Sequence, residues 1–328
     1  MNDNKISKNS IVAKFAVPIS FLILFFLAAN FTDCDLVTFW KRRNHLTDLV
    51  VDMIPPDFSY IQKILLPLFY TIQMSVTGTV LGTFFALVLS PFGAANLGFP
   101  AVIRRILRIV IQILRSFPAL ILALTATFLF GLGTFAGTFA ITLYTFAIMT
   151  KLTYEDASAA DVKAYQALRA MGVSKYVAYI HGILPEIIPG FLTNALYLLE
   201  TNVRHSSILG YVGAGGIGLL LNEKISWLEY DKVGTILLML FLTVCVIEYF
   251  SRYLAALIRK ERTIKKEQAR LLLLFLAALF LICTFTLSLP DFSRTSPQTL
   301  RNMFAGFLQP DWSFFFSAEK DGLGYLLL

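Results

Sequence analysis

The sequence predicts an all-α fold, a polytopic bundle of membrane helices, and three observations predict it. Of 328 residues, 57% are hydrophobic and 15% charged, with a mean hydropathy of +0.69. A soluble domain has nowhere to bury so much apolar surface, whereas a bilayer supplies the missing apolar solvent. The apolar residues fall into seven segments of, or near, the roughly 20 residues a helix needs to cross hydrocarbon. Basic residues gather in the short loops between them, which is how membrane proteins set their orientation. Backbone polar groups in lipid must be paired inside their own segment, so the spans are helices and not strands.

The spans are expected at Phe15–Phe31, Ile64–Leu89, Ile106–Phe130, Phe135–Thr150, Ile187–Leu209, Val233–Leu257 and Leu271–Leu289. The fourth is short and follows a tight Gly131-Leu132-Gly133 link. Lys5, Lys8 and Lys14 precede the first span, and Arg104, Arg105 and Arg108 the third. Lys151, Lys163, Arg169 and Lys175 lie between the fourth and fifth, and a basic run from Arg259 to Arg270 precedes the seventh. If the spans alternate, all four groups share one side, which makes that side and the N-terminus cytoplasmic in a plasma (inner) membrane. The net charge of +7 is an orientation signal on this reading, and nucleic acid is not an expected partner. Cys34, Cys245 and Cys283 form no CxxC pair, so neither a disulfide framework nor a metal site is expected.

Between the fourth and fifth spans lies a polar island, residues 155–185, too ordered by pattern for a mere connector. Asp161–Met171 has helical spacing, and Gly172 stands where a glycine stops a helix. Ser174 is placed to cap a second short helix, Lys175–Gly182, and Pro185 precedes re-entry into the membrane at Ile187. Two short helices set at an angle make a compact foot suited to being gripped by a cytosolic partner.

Gln166-Ala167-Leu168-Arg169-Ala170-Met171-Gly172, followed by Ile183-Leu184-Pro185, resembles the loop by which ABC-importer permeases dock on their ATP-hydrolysing subunit. Gln166 stands where that family's pattern usually begins with Glu. The run from Asn202 through Arg204 and His205 to Gly213-Ala214-Gly215-Gly216-Ile217-Gly218 is similar to a stretch of phosphonate permeases, as are Tyr230-Asp231-Lys232-Val233 and the Arg115-Ser116-Phe117-Pro118 turn. The resemblance covers about residues 60–260. It implies the type I ABC-importer permease fold and a coupling loop carrying Gln166, Ala167, Gly172, Ser174, Leu184 and Pro185. It also implies three partners: an ABC ATPase subunit, an extracytoplasmic substrate-binding protein, and a second permease half. The substrate implied is a phosphonate or related oxyanion.

Glu200 and Arg204 are four residues apart on one helix face, and ionisable residues in lipid face a cavity or each other. Mutual neutralisation is one reading. The other is that Arg204, with His205 nearby, offers positive potential to a passing oxyanion. Glu200, Asn202, Arg204, Gly213, Gly215, Gly216 and Gly218 are therefore expected near the translocation path, the glycines permitting a tight turn and close helix approach. Gly213, Gly215 and Gly218 also satisfy G-x-G-x-x-G, but a dinucleotide site needs a preceding strand and a βαβ unit, and a membrane helix precedes them here. No Walker glycine-lysine loop, catalytic triad or paired acids stand out, so no enzyme activity and no cofactor are expected, with ATP hydrolysis left to the partner. The rival reading is a secondary transporter, or a permease for phosphate, phosphite or another small solute.

Residues 45–59, HLTDLVVDMIPPDFS, and 299–313, TLRNMFAGFLQPDWS, share their Leu, Pro-Asp-aromatic-Ser order. The expected organisation is an N-terminal span and outer loop (1–63), a permease core (64–258), a basic linker (259–270) and the start of a second permease copy (271–328).

Overall fold

The computed structural model describes residues 16–29, 36–260, 266–288 and 305. The chain divides after Pro55 into two compact units. The first holds α1 (Ala16–Ala29) and α2 (Leu36–Asp52). Phe21, Leu24 and Phe26 of α1 are exposed, as the side chains of a lipid-facing helix are. The expected span reached from Phe15 to Phe31, and its outermost residues lie outside the described ones, as does the tail half of the internal resemblance.

The second unit opens with a 3-10 turn, Phe58–Tyr60, held by the Asp57 carboxylate, which accepts the Ser59 N–H at 2.9 Å. It leads into α3 (Ile61–Gly93), whose 33 residues reach about 50 Å and form the unit's axis. Among the described residues, the most extensive pairing sets α3 against α6 (Thr134–Ala159). Small residues bring the two backbones together. A Cβ added at Gly82 would lie 2.7 Å from the Thr142 carbonyl oxygen, and one at Gly78 would lie 2.7 Å from the Ile141 side chain. Gly78 and Gly82 form G-x-x-x-G, the spacing that lets membrane helices touch closely. Met74, Ala123, Ala136, Ala140, Ile141 and Leu209 are buried together around this seam.

The expected third span is not one helix. It breaks into α4 (Ala101–Ser116) and α5 (Ala119–Phe130), which meet at 94° at Phe117-Pro118. Proline disfavours helical backbone at the residue before it, and Phe117 is extended at φ −83, ψ 126. Arg108 Nε donates to the Gly93 carbonyl at 3.0 Å, and its guanidinium lies 5.0 Å from the centre of the Tyr154 ring. Those contacts tie α4 to the ends of α3 and α6. The opposite face of α4 leaves Val102, Ile106 and Ile113 exposed.

α6 corrects the fourth span. It is 26 residues long, about 39 Å, and absorbs Glu155–Ala159 from the expected island. The foot helices α7 (Lys163–Ala170) and α8 (Lys175–Gly182) follow. The chain then turns by 70° into α9 (Leu184–Leu209), which starts at Leu184 rather than Ile187, with Pro185 in its first turn, where a missing N–H costs nothing. A loop of glycines leads to α10 (Ile217–Ser226), and α11 (Tyr230–Ile258) and α12 (Lys266–Phe285) complete the unit. α12 docks on α3 through buried Gln73, whose Nε2 donates to the Cys283 carbonyl at 3.0 Å and the Thr286 hydroxyl at 2.8 Å. Among the described residues, four helices are long and apolar enough to cross a membrane, or six if each bent pair counts as one span.

Candidate functional site

The foot is a helix stop followed by a helix start. At the end of α7, Gly172 adopts φ +86, a conformation glycine reaches without steric cost. The Val173 N–H then reaches back to the Leu168 carbonyl at 3.2 Å, and the Gly172 N–H to the Arg169 carbonyl at 3.1 Å. This is the crossed pair of bonds of a Schellman ending, which satisfies carbonyls the helix would otherwise leave unpaired. One residue later the Ser174 hydroxyl accepts the Val177 N–H at 3.4 Å and caps α8. At the other end, the Asp161 carboxylate accepts the Lys163 N–H at 2.9 Å, and this bond holds the carboxyl below its usual range.

Side chains pin the foot to the bundle. Tyr165, Ala178, Tyr179, Ile183 and Ile187 are buried with Ala94 and Leu97 of the α3–α4 loop and Ala157 of α6. The Tyr165 hydroxyl donates to the Leu97 carbonyl at 2.7 Å, Asn96 Nδ2 donates to the Ala157 carbonyl at 2.9 Å, and Lys175 Nζ donates to the Gly98 carbonyl. A second glycine is needed here that the sequence reading did not single out. A Cβ on Gly182 would lie 2.8 Å from the Tyr165 backbone nitrogen, so α8 crosses α7 in contact. Of the residues expected to couple, Gln166, Ala167, Gly172, Ser174 and Pro185 are exposed and Leu184 is half-buried. They share the surface with Met171, 70% exposed, and with Val177 and Ile180. An anchored two-helix body thus presents an apolar ridge to whatever lies beyond it.

The expected path residues separate into three environments. Arg204 and Glu200 form a salt bridge at 2.6 Å, with side chains 47% and 14% exposed. Asn202 does not line a surface. It is fully buried, and its Nδ2 donates to the Thr79 and Thr145 hydroxyls at 2.8 Å each, tying α9 to α3 and α6. Beside it Ser75 and Ser206 are hydrogen bonded at 2.9 Å. The glycines make the third environment. Gly213, Gly215 and Gly216 all have positive φ, and the Gly213 carbonyl accepts the Gly133 N–H at 3.0 Å. A Cβ at Gly216 would lie 2.6 Å from the Thr71 hydroxyl, which itself accepts the Ile217 N–H at 2.8 Å and caps α10. A Cβ at Gly218 would lie 1.9 Å from the Ser207 carbonyl oxygen. Gly215 and Gly216 open on a cavity of about 400 Å³ with Pro67, Tyr70, Thr134 and Glu223.

Past α10 the foot's Schellman ending recurs with a different residue. Leu228 stands at φ +57, the Glu229 N–H reaches the Lys224 carbonyl and the Leu228 N–H the Ile225 carbonyl, each at 3.1 Å. Ion pairs brace this turn. Lys224 Nζ lies 3.0 Å from Glu223 and 2.9 Å from Glu229, and Lys232 lies 2.7 Å from Glu229. Hydrogen bonds to Glu229 and Glu223 push the Lys224 ammonium far above its usual range.

A bundle of bent membrane helices with a foot on one side and a glycine loop at the other end defines a transport permease. The chain belongs to the family described as binding-protein-dependent transport system inner membrane component, whose pattern matches residues 78–263. It is similar to the phosphite transport system permease protein PtxC of Stutzerimonas stutzeri, 31% identical over 217 residues, or 66% of this chain and 79% of that one. It is similar to the phosphate-import permease protein PhnE of Mycolicibacterium smegmatis, 31% identical over 203 residues, 62% of this chain and 38% of that one. Among solved structures, the inward-facing MetNI methionine ABC transporter matches with a TM-score of 0.55 at 21% identity, covering 62% of this chain and 99% of that chain. The fold is that of an ABC-importer permease, and the protein is a multi-pass membrane protein.

Proposed function

We propose that this permease carries a small phosphorus oxyanion of the phosphonate, phosphite or phosphate class into the cell, driven by an ABC ATPase that grips the foot. The observation that carries the reading is the foot itself, a rigidly anchored body with an exposed ridge of Ala167, Met171, Val177 and Ile180. Permanently exposed apolar surface of this kind marks a contact site for another protein. The names of the relatives support the substrate class. The N-terminus and the foot face the cytosol, an extracytoplasmic binding protein delivers the anion to the opposite side, and a second permease half completes the path. ATP hydrolysis belongs to the partner, whose differential affinity for two permease states moves the helices. Arg204, held by Glu200, supplies positive potential beside the path, and the glycine loop lines its outer end. The division into 1–63, 64–258, 259–270 and 271–328, with the last segment opening a second permease half, belongs to the same proposal.

The test is uptake of phosphite, phosphate and methylphosphonate in cells lacking other importers for them, with the ATPase subunit intact or inactivated. Uptake of at least one anion that vanishes with the inactive ATPase is expected. Uptake that survives would replace this reading with a secondary transporter.

A further inference from the structure

We propose that α4 is a lipid-binding helix at the membrane surface on the foot's side, whose Arg104 and Arg105 hold the phosphate of an anionic phospholipid while its opposite face lies among acyl chains. α4 hardly enters the bundle: of its sixteen residues only Ile111 is buried. What it exposes is split between two faces. Val102, Ile106, Ile109 and Ile113 are spaced four, three and four apart, hence on one face, and Ile103 and Val110 flank them; all six are exposed. Positions 101, 105, 108, 112 and 115 follow the same spacing on the other side and read Ala, Arg, Arg, Gln, Arg. A helix surrounded by hydrocarbon carries no such basic face. A helix lying in the interface does, with its apolar side about 5–10 Å into the boundary between headgroups and chains.

The contacts of α4 fix its level. Arg108 is bonded to the carbonyl of Gly93, the last residue of α3, and lies over Tyr154, near the end of α6. Arg104 Nη1 donates at 3.4 Å to the Ala95 carbonyl, in the loop whose Ala94 and Leu97 are buried with the foot. These arginines therefore stand where the bundle meets the foot, at headgroup depth, and the 94° elbow carries α4 off the line of α5. A cavity of about 210 Å³ opens between Arg104, Arg105 and Arg108, with Ala101 and Ile109 as its other walls. No Asp or Glu occurs between Asp57 and Glu155. Among the described residues none of the three arginines forms an ion pair. Guanidinium groups bind phosphate oxygens through their forked N–H donors. Ile109 belongs both to the cavity and to the exposed apolar face. A phosphate held by the arginines thus has its chains beside the apolar side of α4. A free phosphate uses only the basic half of this arrangement, whereas a phospholipid uses both halves.

The test uses the complete importer, this chain with its ATPase and binding protein, in nanodiscs holding phosphatidylglycerol and phosphatidylcholine in equal amounts. Lipid that stays with the released complex is counted by native mass spectrometry. The wild type should retain phosphatidylglycerol in preference. A basic residue near an anionic surface contributes about a factor of five to binding. Arg105→Gln should therefore lower the preference about fivefold, and Arg104→Gln with Arg105→Gln roughly thirtyfold. Arg105→Lys, which keeps the charge, should retain most of it. Lys163→Gln, which removes a charge from the foot instead, should leave it unchanged. All these variants should insert and copurify with the ATPase as the wild type does. No preference in the wild type, a preference that the double variant keeps, or an equal loss in Lys163→Gln would overturn the site. Displacement of the lipid by inorganic phosphate would give the arginines to a free anion and overturn it as well.

Discussion

Two turns are built on glycine for opposite reasons. At Gly172 nothing lies within 4 Å of where a Cβ would stand, so the foot needs only the backbone angle. At Gly218 the backbone is ordinary helix, but the Ser207 carbonyl occupies the side-chain position. One glycine is there for conformation, the other for space. Leu228 sharpens the contrast, because the same Schellman ending is made there by a leucine with Lys224, Glu223 and Glu229 bracing the turn. A left-handed residue that is not glycine costs roughly 1–2 kcal/mol, which other contacts can offset. No contact offsets a carbonyl oxygen in the place of a methyl group.

The largest expected effect therefore falls on the space-limited glycine. Gly218→Ala should destabilise by about 3 kcal/mol or more, since α9 and α10 must separate. Thermal unfolding in detergent should show it as a large fall in Tm, and a wild-type Tm would mean that the two helices are not in contact. Next comes Asn202→Ala, which removes the tie to Thr79 and Thr145 and should cost about 2 kcal/mol by the same measurement.

Gly172→Val is the conformational counterpart. It should cost roughly 1–2 kcal/mol, confined to the foot, with normal membrane insertion but uptake uncoupled from ATP hydrolysis. Gly172→Asn should do less, because Asn tolerates this conformation. If Val at 172 leaves uptake normal, the turn has no part in coupling. Arg204→Gln should slow uptake more than it weakens capture by the binding protein. Equal uptake would return Arg204 to simple neutralisation of Glu200.

How far the sequence reads depends on what each signal measures. Apolar runs and a Gly-Ser-Pro succession reflect local preference, and they located the bundle, the α7 stop at Gly172 and the cap at Ser174. Hydropathy carries no direction, so it reads residues 106–130 as one span, and only the resemblance at Arg115-Ser116-Phe117-Pro118 marks a turn where the 94° elbow lies. Its signal was present in Pro118 and in the arginines at 104, 105, 108 and 115, which an apolar span does not carry. Asn202 is expected near the path because it opens the stretch similar to phosphonate permeases. Its burial depends on three helices meeting, which no local pattern encodes. Gly78 and Gly82 had a legible G-x-x-x-G spacing that marks the α3–α6 contact.

The smallest effect is acidic. Because the Asp161 carboxyl is held low in the folded foot, its contribution is present above the ordinary carboxylate range and is lost as pH falls through the depressed value. Protection against hydrogen exchange at residues 163–166, taken relative to the intrinsic rate at each pH, should therefore fall on acidification, and Asp161→Asn should flatten that dependence. An unchanged pH profile in the variant would remove Asp161 from the foot's start.

The central claim is that the foot meets an ATP-hydrolysing subunit in the cytosol. Met171→Cys, in a background with the native cysteines replaced, tests it most directly through labelling by a membrane-impermeant thiol reagent. The account predicts labelling in inverted vesicles stripped of the ATPase, protection when the purified ATPase subunit is added back, and none in intact cells. Labelling of intact cells, or labelling of inverted vesicles that the ATPase leaves unchanged, would contradict it.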